Sequence, residues 1–297
     1  MFELPKRIGR YEIRELIGEG AHARVYEAYD GESDRLVAIK HLTREALRTT
    51  GSSLARFKRE ARLLAKLDHP NVVKLYGGGE HDGAPFLVIE LFRGKTLREW
   101  LETSPVRARI LDVLLQAGRG LAAAHEAGII HRDFKPSNVM IGGRRVVVLD
   151  FGLARRDPKH LEAEQRSVSF MTEPGAVIGT AEYMAPEQHL AGVADARTDQ
   201  FAYCVTLYEA LYRMRPYQGH GVGQLLRSMA QGVDPRPPDP KALPSRAFRA
   251  LVRGLSLEPP SRFETMAELL QELTPAQEED VTRRASVRGV PDFDPDV

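Results

Sequence analysis

The sequence predicts an α+β protein of two lobes: an antiparallel β lobe with one main helix at 11–90 and a mainly helical lobe at 91–273. Three observations predict it. Before residue 91 the apolar residues fall in short β-rich runs punctuated by glycine, one stretch among them has helical spacing, and beyond it long helical patterns take over. The 297 residues, 42% apolar and 28% charged, suffice to bury a sizeable core. With 42 Lys+Arg against 41 Asp+Glu, the net charge of +1 gives no pull towards nucleic acid or an anionic membrane. Cys204 stands alone, which excludes a disulfide framework and a cysteine-based zinc site. No run approaches the roughly 20 apolar residues of a membrane span. The start, MFELPKRIGR, lacks the apolar centre of a signal peptide, so the cytoplasm is the expected location.

The elements follow in order. Tyr11 to Ile17 and Arg24 to Tyr29 read as a hairpin about the Gly18/Gly20 turn, and Leu36 to Ile39 as a third strand. From Leu54 to Leu67 the apolar positions recur at helical spacing until His69-Pro70 ends the pattern. Val72 to Leu75 and Phe86 to Ile89 read as strands around a turn containing Gly77 to Gly79 and Asp82-Gly83. Arg107 to Ala127 is a long helix closed by Gly128. Val146 to Leu149 is a buried strand, Asp199 to Leu211 a helix apolar on most sides, and Phe263 to Leu273 the last helix. Residues 274–297 lack apolar periodicity and read as a flexible tail. A cleft between the lobes is the expected ligand site.

Four constellations carry chemistry. Gly18-Glu19-Gly20-Ala21-His22-Ala23-Arg24-Val25 nearly fits G-x-G-x-x-G-x-V, with Ala23 at the third glycine. Alone it reads as readily as a hairpin turn that needs glycine as it does as a phosphate site; because a strand rather than a helix follows, a dinucleotide-binding site is disfavoured and a phosphate-covering hairpin survives. Lys40 ends the apolar run Val37-Ala38-Ile39, and Glu60 lies inside the one helix nearby, so a lysine held by a helix glutamate is expected to face phosphate. His131-Arg132-Asp133 with Asn138 five residues on, followed by Asp150-Phe151-Gly152, matches the ordered set H-R-D-L-x-x-x-N and D-F-G.

On these residues the chain resembles a eukaryotic-type protein kinase, more narrowly the bacterial Ser/Thr kinases, and a protein-kinase-like two-lobe fold is implied from about Tyr11 to Leu273. Gly179 to Glu187 resembles the segment that closes the activation loop and receives substrate, and Asp199 and Arg262 sit where the family has the C-lobe helix aspartate and the partner of Glu187. The resemblance implies ATP as phosphoryl donor, with Mg²⁺ (Mn²⁺ as an alternative) on Asn138 and Asp150. It implies Asp133 on the attacking hydroxyl, Lys135 on the γ-phosphate, Lys40 with Glu60 on the α/β-phosphates, and Thr180 tying the substrate segment to Asp133 and Lys135. Adenine is expected under Ile17, Val25 and Ala38, over Met140, beside Ile89 and along the backbone from Glu90 to Phe92; Gly18 and Gly20 approach the phosphates. Leu64, Leu75, His131 and Phe151 match the regulatory stack.

Implied partners are protein substrates and a transient homodimer for trans-autophosphorylation, with Thr172 the activation-loop site that best matches bacterial relatives. Arg132 and Arg155 are expected to receive that phosphate. Ser286, in Arg283-Arg284-Ala285-Ser286, also resembles a phosphorylation site, but such short matches are common by chance and a solvated tail is the favoured reading. Cys204, where glycine is usual, is expected as a small buried hydrophobe. The competing readings are a pseudokinase scaffold, against which Lys40, Asp133 and Asp150 are all kept, and a small-molecule kinase, against which Gly179 to Glu187 stands.

Overall fold

Strands β1 (Arg7–Ile8), β2 (Tyr11–Glu19), β3 (Ala23–Asp30), β4 (Arg35–Leu42), β5 (Leu75–His81) and β6 (Ala84–Glu90) form an antiparallel sheet in the order β1-β2-β3-β4-β6-β5. The structure is a computed structural model that describes residues 4–20, 23–43, 54–151, 181–190, 192–219, 221–234 and 236–274. Val25 lies opposite Lys40 and Glu27 opposite Ala38, whereas Tyr26 meets Ile39 and Ala28 meets Val37. Cross-strand partners share a face and neighbours along a strand do not. The sheet therefore turns Tyr26, Ala28, Val37 and Ile39 to one side, where they close a small core with Ile8, Ile13, Phe86 and Val88. Val25, Glu27, Ala38 and Lys40 line the other side, over the cleft.

Two sequence expectations change here. The segment read as a strand at Val72 to Leu75 begins its strand only at Leu75, and Gly77 to Gly79, read as a turn, lie within β5. The reason is close approach: a Cβ on Gly79 would stand 2.8 Å from the Phe86 ring, and one on Gly78 2.5 Å from the Phe86 carbonyl. The turn itself is Asp82-Gly83, both at positive φ. Residues 71–73 instead join the other lobe, with Val73 N–H donating to the Val148 carbonyl and Val148 N–H to that of Asn71.

Helix α1 (Leu54–Leu64) ends earlier than the apolar spacing suggests and continues as turns to Leu67. Strand β7 (Lys95–Thr96) opens the second lobe and pairs with the hairpin of β8 (Val139–Gly142) and β9 (Arg145–Val148). Thr96 caps α2 (Leu97–Glu102), and α3 (Arg107–Glu126) ends before Gly128 at φ +73°. A short α4 (Pro186–His189) precedes α5 (Ala196–Tyr212), capped by the Asp195 side chain. From Thr198 to Tyr208 every residue of α5 is buried, so the other helices pack around it. Gln200 exchanges two hydrogen bonds with the Phe263 backbone and Thr206 donates to the Ala202 carbonyl, whereas the buried Tyr203 and Tyr212 hydroxyls find no partner among the described residues. Cys204 is fully buried in the space that Gly254 leaves open, and burial pushes its thiol pKa far up, as suits a hydrophobe. Helices α6 (Val222–Gln231), α7 (Ser245–Gly254) and α8 (Met266–Leu273) complete the lobe. The last helix, expected from Phe263, starts at Met266 because the Thr265 hydroxyl caps it. Of the tail read at 274–297, residues 275–297 lie outside the described residues.

Candidate active site

The loop between α3 and β8 is organised from beneath by one buried carboxylate. Asp199, in the first turn of α5, accepts from the backbone N–H groups of His131 (2.7 Å) and Arg132 (2.8 Å) and from His125 Nε2 (2.7 Å). Burial alone would raise the Asp199 carboxyl; the His125 hydrogen bond and charge, with His131, outweigh it and hold the group below the ordinary range. These bonds keep Arg132 at φ +63°, a conformation costly for a side chain with a Cβ.

His131 carries the order upward. Asp133 N–H donates to its Nδ1 (3.2 Å), so the proton must sit on Nε2, which donates to the Leu149 carbonyl (2.7 Å). That neutral tautomer agrees with burial lowering the His131 pKa. The His131 ring meets Phe151 at 4.7 Å, with Leu64 and Leu75 buried in the same core. The His131–Phe151 contact of the stack that the sequence implies is thus made over Asp199.

Above it stand the chemical groups. Lys135 Nζ donates to Asp133 Oδ2 at 3.0 Å, and Asn138 Nδ2 donates to the Asp133 carbonyl at 2.8 Å. Asn138 sits in a 3-10 turn, Pro136–Asn138, whose proline fixes the backbone. Across the cleft mouth Asp150, at φ +55° and with a side chain 40% exposed, takes Lys40 Nζ at 2.7 Å. Desolvation opposes its charge, but Lys40, through its charge and hydrogen bond, with Lys135 holds its carboxyl below the ordinary value.

The expected pairing of Lys40 with Glu60 is not the one found. Glu60 accepts from Arg132 Nη1 at 3.2 Å, while Lys40 pairs with Asp150. Two cations and two carboxylates share the cleft, and α1 lies where its glutamate reaches the loop between α3 and β8 rather than β4; spacing identifies the four groups and not their partners. The Glu90 N–H donates to the Lys74 carbonyl (2.8 Å), so the expected contacts to a purine edge fall to the Glu90 carbonyl and the backbone of 91 and 92. Ile17, 44% exposed, and buried Ala38 belong to the sheet over the cleft, Ile89 lies beside Ala38 across β4 and β6, and Met140 lies on β8 below. Thr180, Thr172, Arg155 and Ser286 lie outside the described residues, as does Gly179, whereas 181–187 of that segment are described.

Asp150 and Asn138 offer two hard oxygen donors, and among the described residues no cluster of three metal-ligating side chains occurs. Such a pair suits Mg²⁺, which keeps waters and takes phosphate oxygens from its nucleotide, and does not suit a metal caged by protein alone.

Three contributors were missed by sequence reasoning. His125 supports Asp199, Asn71 Nδ2 ties its segment to the Val146 carbonyl at 2.8 Å, and Arg145 grips Glu90 through both guanidinium nitrogens, one at 3.0 Å. Only His125 left a signal, a histidine in the last turn of a helix running into the loop. By contrast Glu187 and Arg262 pair as implied: the guanidinium, 0% exposed, donates to both carboxylate oxygens at 2.7 and 2.8 Å.

Residues 11–273 match the family model described as the protein kinase domain. The chain is 40% identical over 225 residues to a probable serine/threonine-protein kinase of Streptomyces coelicolor, covering 73% of this chain and 32% of that protein. It is 35% identical over 275 residues to the serine/threonine-protein kinase PknB of Mycobacterium tuberculosis, covering 89% of this chain and 42% of PknB. The chain thus spans less than half the length of these relatives. The solved PknI kinase domain of M. tuberculosis aligns with a TM-score of 0.69 at 23% identity, over 91% of this chain and 98% of that one, which supports the fold.

Proposed function

The chain belongs to the protein kinase domain family, and from that premise we propose that it transfers the γ-phosphoryl group of ATP to Ser/Thr hydroxyls of protein substrates. One observation carries the reading: Asp133, Lys135 and Asn138 form a single hydrogen-bonded cluster on a loop locked by Asp199 and His131, facing the Lys40–Asp150 pair. Asp133 accepts the proton of the substrate hydroxyl as its oxygen bonds to the γ-phosphorus, the bridging bond to the β-phosphate breaks, and ADP departs with the electron pair. Lys135 neutralises charge on the transferring group; its 3.0 Å bond to Asp133 fixes both at the same point. Asp150 and Asn138 would hold Mg²⁺, with Mn²⁺ able to replace it, and the ion supplies charge neutralisation across the phosphates.

Catalysis then requires Glu60 to exchange Arg132 for Lys40, so that Lys40 is oriented towards phosphate rather than held on Asp150. A phosphate on Thr172, placed there in trans by a second copy, is the ligand proposed to draw Arg132 away. Thr180 is assigned the link between the substrate segment and Asp133. The lobes are assigned to 11–90 and 91–273. Among the described residues no helix is long and apolar enough to cross a membrane.

The test is incorporation of labelled phosphate from ATP into the chain and into a generic protein, with and without Lys40→Met. Incorporation on serine and threonine that Lys40→Met abolishes supports the reading; incorporation that the substitution leaves unchanged refutes it.

A further inference from the structure

The ceiling of the cleft contains an acid that the phosphotransfer chemistry does not use. Glu27 lies on β3 two residues beyond Val25 and opposite Ala38, so it shares the cleft face with both, and its side chain is only 11% exposed. Its cross-strand neighbour on β2 is another acid, Glu15. A carboxylate buried in the roof of a site for a polyanion repels that ligand unless a cation neutralises it. Arg93 does so, donating from Nη2 to Glu27 Oε2 at 2.8 Å while its own side chain stays 68% exposed.

Arg93 belongs to the segment that crosses between lobes, and the second lobe fixes that segment. Gly94 packs so tightly on β8 that a Cβ would lie 2.2 Å from the Ile141 carbonyl. Glu90, at the other end of the crossing, is held by Arg145 of β9. The Glu27–Arg93 pair therefore joins the roof of the first lobe to a connecting segment anchored in the second.

We propose that Glu27 and Arg93 form a latch across the mouth of the nucleotide site, a positioning pair that holds the roof over the purine and cancels the roof's own negative charge. The proposal rests on the kinase reading and adds to it two residues that determine nucleotide retention. Loss of Arg93 leaves a buried anion above the ligand, whereas loss of the Glu27 charge leaves an arginine that water can solvate, so the two substitutions differ in size.

The test is direct titration of ATP onto the whole chain, with kcat and KM for ATP measured alongside. Arg93→Gln is expected to weaken ATP binding about tenfold and Glu27→Gln about threefold. The double variant should be no weaker than Arg93→Gln alone, Arg93→Lys should recover most of the loss, and kcat at saturating ATP should stay within about twofold. Because Arg93 is exposed, its substitution spares the core. ATP binding by the parent that Arg93→Gln leaves within twofold overturns the latch alone, as do losses that multiply in the double variant. Failure of the parent to bind ATP overturns the kinase reading and the latch with it.

Discussion

Replacing Asp199 by Asn should unfasten the catalytic loop while barely changing side-chain volume. The carboxylate accepts three hydrogen bonds of 2.7 to 2.8 Å from His131 N–H, Arg132 N–H and His125. An amide can keep acceptance only at one oxygen. Its least damaging orientation retains the two donors that share Oδ2 and sets its NH₂ against the Arg132 N–H, leaving that donor without a partner. An unpartnered buried donor costs about 1–3 kcal/mol, and the two surviving bonds lose their charge assistance, roughly 1 kcal/mol each. The sum, about 3–5 kcal/mol, corresponds to a fall in Tm of roughly 10 °C for a domain of this size. Because the Arg132 bond also sustains its positive φ, the loop should relax and move Asp133 from its place. Calorimetry and phosphotransfer at a temperature where the variant remains folded read the two effects. A Tm within about 2 °C of the parent, with transfer within twofold, would refute the anchoring role.

Three further outcomes follow from the same packing. Glu187→Gln strands the fully buried Arg262 cation and should cost about 3–5 kcal/mol in urea unfolding; a change under 1 kcal/mol would show the pair to be dispensable. Gly120→Ala places a Cβ 2.4 Å from the Asn71 carbonyl, which also serves Val148, and should lower stability by about 1–3 kcal/mol; an unchanged urea midpoint would contradict that contact. Burial lowers the pKa of His41, His69, His131 and His189 in the fold, so below about pH 6.5 the unfolded chain binds protons that the native one refuses. Their contribution is complete above that pH and is lost as pH falls towards the native values. Tm should therefore drop between pH 7.5 and 5.5, and a rise over that window would reverse the sign of the argument.

The catalytic loop was legible because its chemistry demands particular residue types at short, fixed spacing, as in Asp133, Lys135 and Asn138. The α5 helix was legible from its nearly continuous apolar character, which only a central element can bury. Pairings across the cleft were not. Lys40 and Glu60 are recognisable as cleft charges, but which cation Glu60 takes depends on where α1 sits against the loop, a tertiary distance with no local signature. Gly77 to Gly79 misled for a related reason: glycine marks turns and also marks strands crowded by a neighbour, here Phe86, and only the packing separates the two. Glu27 and Arg93 lie 66 residues apart, and each alone reads as a surface charge.

The most direct test of the account is transfer of labelled γ-phosphate from ATP with Mg²⁺ to a generic protein by the parent and by Asp133→Asn, followed by identification of the phosphorylated amino acids. The account predicts phosphoserine and phosphothreonine from the parent, and a loss of about 10²- to 10⁴-fold on substitution with ATP still bound. Equal incorporation by both proteins would contradict it.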